Sequence, residues 1–411
     1  MAGGAQTGPA TLAGSTWRAR CASDARALDS GNAGSRRTQR AGGGVFATMI
    51  DALVEQQRIL IVGGSGGVGK TSISAALGIA AAQAGHKTLV LTIDPARRLA
   101  AALGLDGIGP EAVDITPGLT EQGLEVPGEL HAMMLDVQNT LDRAVERYAP
   151  SPRRRDQILA NRLYRNISTR LSGSQEYASM QRLYEIATSG EYDRIVLDTP
   201  PTTHALDFLT APERLKAFFD SSLIKVFINF GGRAGRGLFR VSDVLFKALN
   251  RLTGANVIRD IGDFFQVAES ILEPFSEQAE QAQALLRRPE TSFVVVTGPY
   301  PHQLDDAREF QSKLSGMRIR VGAMVVNRWF VPLQSGKPDL PDAVASAELE
   351  DRMAYWASAL ECQAHEQTAA IDQLEQRTEV PVIRVPELET DIHSIEGLKE
   401  LKARLSAASW S

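Results

Sequence analysis

Cysteine is nearly absent from this chain. Cys21 and Cys362 are the only two among 411 residues, and they stand far apart. That excludes a disulfide-rich scaffold, a Cys-x-x-Cys zinc clamp and a trithiolate site of the arsenite-binding kind. The six histidines (His86, His131, His204, His302, His365 and His393) do not cluster either. No apolar run approaches the ~20 residues that a membrane-spanning helix needs. Positive charge is not in surplus, with 44 Lys and Arg against 49 Asp and Glu. Nucleic acid, which rewards a basic surface, is therefore not expected as a partner. The first residues lack the apolar core of a secretory signal. Together these absences lead to the expectation of a cytoplasmic protein that does not span a membrane.

Residues 1–48 are of another kind. They are rich in Gly, Ala, Ser and Arg, poor in acids and without apolar periodicity. Such a composition cannot bury enough surface to offset chain entropy. The segment reads as a disordered extension. One account is an Arg-rich transit segment; the simpler one is that translation begins at Met49, just ahead of the first organised stretch. Residues 49–411 are expected to form the folded domain.

What is present in strength is one octapeptide, Gly64-Ser65-Gly66-Gly67-Val68-Gly69-Lys70-Thr71. It fits G-x-x-x-x-G-K-[ST], with an apolar run at 58–62 before it and a helix-forming run at 72–83 after it. The glycines let backbone N–H groups converge on phosphate oxygens at a helix N-terminus. Lys70 is then placed for the β- and γ-phosphates and the Thr71 hydroxyl for Mg²⁺, with Ser72 continuing the cradle. Gly64, Gly66 and Gly69 also satisfy the dinucleotide fingerprint G-x-G-x-x-G, with Asp94 where a ribose-binding acid sits. Lys70-Thr71 argues against that oxidoreductase reading, because a dinucleotide site needs neither group directly after its third glycine.

Apolar runs and helical stretches alternate from Ile50 onward. The pattern predicts an α/β P-loop NTPase with a mostly parallel sheet covered by helices on both faces. Strands are expected at 58–62, 87–93, 131–135, 194–197, 292–297, 321–326 and 381–385. Helical stretches are expected at 137–149, 151–189, 343–377 and 395–405. A long helical insertion spans 213–290 and holds nine of the 14 phenylalanines. Its rings either build a core of their own or line a groove or dimer surface, and both readings stand.

Three further segments suit triphosphate chemistry. Thr92-Ile93-Asp94-Pro95 ends a strand with a carboxylate that can orient or deprotonate the attacking water. The same Asp-Pro pair also suits a helix N-cap. Arg194-Ile195-Val196-Leu197-Asp198 reads as a Walker-B strand, with Asp198 holding Mg²⁺ through a water opposite Thr71. Residues 199–204 follow as a proline-stiffened switch loop. Val325-Val326-Asn327 places an amide for the adenine edge, and Pro386-Glu387, after the last strand, is expected to close over the base.

In this order the segments resemble the ArsA-type ATPases, the family of the arsenite-pump ATPase and the tail-anchored-protein targeting factor. The matches are Gly-Gly-Val-Gly-Lys-Thr (66–71), Thr-Ile-Asp-Pro-Ala (92–96), Asp-Thr-Pro-Pro-Thr-Thr-His (198–204), Val-Val-Asn (325–327) and Val-Pro-Glu (385–387). The resemblance implies a homodimer whose two sites face each other, closed by ATP and reopened by hydrolysis. It implies that Asp94 activates water and that 213–290 faces a client, a hydrophobic helix or a membrane protein. The chain also departs from the family. Ser65 stands where a signature lysine is usual, and Arg97 or Arg98 is the expected substitute. Pro200 and Thr203 replace the more frequent Ala and Gly. The zinc-clamp and arsenite-binding cysteines are missing, so the dimer is expected to depend on nucleotide and arsenite is not the expected ligand.

The expected activity is thus Mg²⁺-dependent ATP hydrolysis coupled to capture and release of a partner. A small-molecule kinase is the first alternative, with a metabolite in place of water. A partition or cofactor-loading ATPase is the second.

Overall fold

The computed structural model describes residues 49–94, 98–103, 105, 107–162, 164–165, 168, 174–200, 271, 274–332, 347–389, 392 and 394–407. Eight strands in that chain form one sheet. They are β1 Ile59–Gly64, β2 Lys87–Thr92, β3 Val113–Asp114, β4 Glu129–Met134, β5 Arg194–Asp198, β6 Thr291–Thr297, β7 Val321–Trp329 and β8 Val382–Pro386. Their order across the sheet is β3-β4-β2-β5-β1-β6-β7-β8. Every neighbouring pair is parallel except β3–β4.

Seven of these strands are the expected ones with shifted ends. β1 continues two residues beyond its expected end, to the first glycine of the motif, because Gly63 and Gly64 pair with Val295 and Val296 of β6. The eighth, β3, was not expected. It has two exposed residues that pair with His131 and Ala132 at the sheet edge, so no apolar pattern marks it.

Helices cover both faces, as the continuous apolar strands require. On one face Ile59, Ile61, Leu89, Leu91, Phe293 and Val295 pack against α5 (Val137–Tyr148), α7 (Ser174–Ser189), α8 (274–286), α9 (Pro301–Gly316) and α10 (Ala347–Arg377). On the other, Leu60, Val62, Val90, Val196 and Val294 pack against α1 (Met49–Gln56), α2 (Lys70–Gln83), α3 (Arg98–Ala102), α4 (Thr116–Glu121) and α11 (Ile395–Ala407). Helix α6 (Pro152–Ala160) packs beside α5 through Ile158. The expected helical block at 151–189 is broken at Asn161, with α6 before the break and α7 at the end of the block.

The connection from β1 through α2 to β2 lies on one face, and that from β6 through α9 to β7 on the other. A crevice at the carboxyl end of β1 follows from this reversal, and ligands of open α/β sheets bind in such crevices. Of the expected insertion, the described part is residue 271 and 274–290. There Phe275 stacks on Tyr177, with ring centroids 5.7 Å apart, and meets Tyr148 edge-on at 5.9 Å. Residues 201–270, the extension 1–48 and the switch residues beyond Pro200 lie outside the described residues. No described helix is long and apolar enough to cross a membrane.

Candidate nucleotide site

The glycine loop turns out of β1 into α2 at the crevice. Two glycines are there for stated reasons. A Cβ on Gly64 would stand 1.9 Å from the Val296 carbonyl oxygen of the adjacent strand. Gly69 caps α2 in the left-handed region (φ 93°), and a Cβ there would meet Asn327 Nδ2 at 2.4 Å. The left-handed cap opens the helix N-terminus toward the crevice, where anions are favoured. The two central glycines, Gly66 and Gly67, are exposed, Val68 is buried beneath the loop, and Ser72 is half-buried in the first turn of α2.

Lys70 is the first residue of α2 and is buried with its charge. Its ammonium donates to the Ser65 carbonyl at 2.9 Å. Burial lowers its pKa, against the pull of the nearby Asp198 carboxylate. The Ser65 hydroxyl is buried and has no hydrogen-bond partner.

Behind Lys70 lies Asp198, 1% exposed at the end of β5. The Thr71 hydroxyl donates to its Oδ2 at 2.8 Å and the Thr92 hydroxyl to the same atom at 3.0 Å. The Ser74 hydroxyl lies 3.4 Å from Oδ1. Burial pushes the Asp198 carboxyl up to about 6, although the threonine hydroxyls and Lys70 oppose the shift. Thr199 secures this strand end to β1, donating from backbone and hydroxyl to the Val62 carbonyl at 3.2 and 2.8 Å.

Thr92 and Ser74 were not among the expected site residues. Strand alternation held the signal for Thr92, since it shares a side of β2 with the position of Asp94. Thr92 in fact links the two acids: its oxygen accepts from the Asp94 N–H at 3.2 Å while its hydroxyl donates to Asp198. The Asp94 carboxylate is partly exposed and pairs with Arg98 at 3.5 Å. Arg98, one proposed substitute for the missing lysine, therefore holds an acid of its own chain. Arg97, the other, lies outside the described residues. Gln175, at the start of α7, donates to the Ile93 carbonyl at 3.1 Å and steadies the strand end that carries Asp94.

The other side of the site is the end of β7 and β8. Asn327 donates from Nδ2 to the Val68 carbonyl at 2.8 Å. One of its two amide hydrogens is thus committed to the loop, and the adenine edge expected for it would use the rest of the group. The Glu387 N–H donates to the Trp329 carbonyl at 2.9 Å, which places the residues after Pro386 beside β7. Arg328 lies between these groups and was also missed.

The donor set suits Mg²⁺ and a polyphosphate. Mg²⁺ takes few protein ligands and keeps waters and phosphate oxygens, and Thr71 with Asp198 offers one hydroxyl and one carboxylate. No group of three or more His, Cys, Asp or Glu able to hold a metal exists among the described residues.

A mostly parallel sheet with a glycine loop at its first strand end defines a P-loop NTPase fold. The chain belongs to the anion-transporting ATPase (ArsA) family, whose model matches residues 57–407. It is similar to ATPase ARSA1 of Chlamydomonas reinhardtii, with 27% identity over 76% of this chain and 39% of that protein. The chain therefore spans well under half the length of that relative. It is also similar to ATPase GET3C of Arabidopsis thaliana, with 26% identity over 67% of this chain and 68% of the relative. A third relative is ATPase get3 of Sclerotinia sclerotiorum, with 27% identity over 71% and 78%.

Proposed function

We propose that the chain is a Mg²⁺-dependent ATP hydrolase that switches a homodimer between closed and open states. By this switch it captures and releases a hydrophobic helix or membrane-protein client at 213–290. The observation that carries the hydrolytic part is the chain of bonds from the Asp94 N–H through Thr92 to Asp198 and back to Thr71, with Lys70 above it. Short side chains on strand ends and on the first turn of α2 fix these groups before any substrate arrives, and phosphoryl transfer needs positioning and charge more than covalent help.

In this reading the Thr71 oxygen and, through a water, the Asp198 carboxylate would hold Mg²⁺, which would supply positive charge beside the phosphates. Lys70 gives up one neutral carbonyl, Ser65, for a polyanion. Asp94 orients the attacking water and takes its proton at the carboxylate, steadied through its own N–H by Thr92. The dimer and its client are supported by the family resemblance. The absence of paired thiols supports closure by nucleotide rather than by a metal clamp. Phosphate released without an added acceptor separates this reading from a kinase.

The test is size-exclusion chromatography with light scattering, run without nucleotide, with ADP and with a non-hydrolysable ATP analogue. Wild type is expected to be dimeric with the analogue. Asp94→Asn is expected to bind ATP, to hydrolyse it about 100-fold or more slowly, and to remain dimeric in ATP. A monomer under all three conditions overturns the dimer, and wild-type turnover by Asp94→Asn overturns its role.

A further inference from the structure

Two non-glycine residues of the described chain have left-handed backbone, Arg318 and Arg328. Arg318 is ordinary: it follows the C-terminus of α9, its N–H bonded to the Ser315 carbonyl at 3.0 Å, where left-handed residues are common. Arg328 is not. It sits inside β7 with φ 63°. There the register on β8 moves from Val326 opposite Arg384 to Trp329 opposite Pro386. β7 thus advances three residues while β8 advances two, which is a bulge. Bulges re-aim side chains and are frequent beside active sites, and the left-handed residue in one is commonly glycine. A long charged side chain at that position is strained, and such strain gathers where function requires it.

The bulge aims the Arg328 side chain across the glycine loop. Its Nη1 lies 3.5 Å from the Gly67 carbonyl and its Nε 3.9 Å from the Glu387 carboxylate. Both contacts are long, and 53% of the side chain is exposed. The guanidinium is therefore held lightly at the middle of the phosphate cradle. The other two cations described beside the cradle are committed: Lys70 is buried on Ser65, and Arg98 is paired with Asp94.

The geometry points to Arg328 as a nucleotide-binding residue, a clasp whose guanidinium leaves Glu387 for the polyphosphate of the bound nucleotide. This rests on the ATP-binding reading above and adds a residue that the glycine motif does not contain. The planar fork of arginine matches phosphate oxygens with two parallel bonds. A polyphosphate also carries more negative charge than the single carboxylate it displaces. Glu387 is then a competitor, which parks the arginine when no phosphate is there.

The test is calorimetric titration of ATP, ADP and AMP into wild type, Arg328→Gly and Glu387→Gln. Glycine accepts the left-handed backbone, so Arg328→Gly removes the guanidinium and leaves the bulge. Its ATP affinity is expected to fall about tenfold, as for one charge-assisted hydrogen bond. The loss should shrink for ADP and nearly vanish for AMP, with the melting temperature without nucleotide no lower than that of wild type. Glu387→Gln, which keeps the arginine, is expected to bind ATP about threefold more tightly, as a removed competitor. Unchanged ATP binding by Arg328→Gly, or an equal loss for all three nucleotides, overturns the clasp. Weaker or unchanged ATP binding by Glu387→Gln overturns the competition on which it depends. Wild type that binds none of the three nucleotides overturns the ATPase reading itself, a result distinct from these.

Discussion

At the carboxyl ends of β1, β2 and β5 the site is held by short side chains on buried strand ends and on the first turns of α2. Thr71, Thr92 and Ser74 surround an Asp198 that water hardly reaches, and the glycine loop above them is shaped by its backbone. At the ends of β7 and β8 the same crevice is bounded by long side chains, Arg328 and Glu387, that are more than one-third exposed and meet at 3.9 Å. The first side cannot move without breaking buried hydrogen bonds, whereas the second can be rearranged with little loss, since exposed ion pairs contribute little. In the proposed reading the metal and Lys70 belong to the rigid side, and the loose side is the one that can adjust to a ligand.

Left-handed backbone occurs on both sides, and this gives the sharpest way to break the contrast. Gly69→Ala puts a Cβ 2.4 Å from Asn327 Nδ2 at φ 93°. The strained backbone costs ~1–2 kcal/mol, and loss of the Asn327–Val68 bond adds about 1 kcal/mol. Urea unfolding is expected to show a loss on the order of 3 kcal/mol, with nucleotide binding abolished. Arg328→Gly removes a strain of the same kind and is expected to stay within about 1 kcal/mol of wild type. Equal losses in the two variants would show that the sides do not differ in rigidity.

Next in size is the titration of Asp198. Its carboxyl is pushed up to about 6 in the fold from an ordinary value of 3.8, chiefly by burial. The folded protein therefore binds the proton more tightly than the unfolded chain does. Stability from this group is present below the ordinary value and is lost as pH rises through about 6. In magnesium-free buffer, wild type should gain on the order of 2–3 kcal/mol relative to Asp198→Asn between pH 6.5 and pH 4. Parallel stability curves for the two proteins would mean that the acid is not strained by its burial.

The same contrast explains what the sequence reveals. The rigid side is legible because its chemistry demands particular residues at fixed spacing: Gly64 to Thr71 in one octapeptide, and acids at the ends of apolar runs. The sheet is legible because strands buried on both faces read as unbroken Val, Ile and Leu. Thr92 escaped because a threonine inside a strand is usual and its partner, Asp198, is over 100 residues away. Arg328 escaped because a bulge is a property of pairing between β7 and β8, and no residue in Val-Val-Asn-Arg-Trp announces it. β3 escaped because a two-residue edge strand buries nothing. In each case the missing information is long-range pairing, which periodicity along one segment does not carry.

The smallest expected effect comes from the support behind the loose side. Arg384 of β8 pairs with Asp372 at 2.6 Å and Glu375 at 2.7 Å on α10, and its guanidinium lies 5.7 Å from the centre of the Trp329 ring. The Trp329 indole in turn donates to Thr368 of the same helix at 3.1 Å. These contacts pin the residue after the bulge, so Arg328 is lightly held on an anchored strand. Arg384→Met keeps the aliphatic stem over the tryptophan and removes the ion pairs, which are partly exposed and worth about 1 kcal/mol together. Stability measured in urea should fall by about that amount, and ATP affinity should change less than in Arg328→Gly. If Arg384→Met instead weakened ATP binding as much as Arg328→Gly does, the loose side would owe its behaviour to the β8–α10 anchor and not to the guanidinium at the loop.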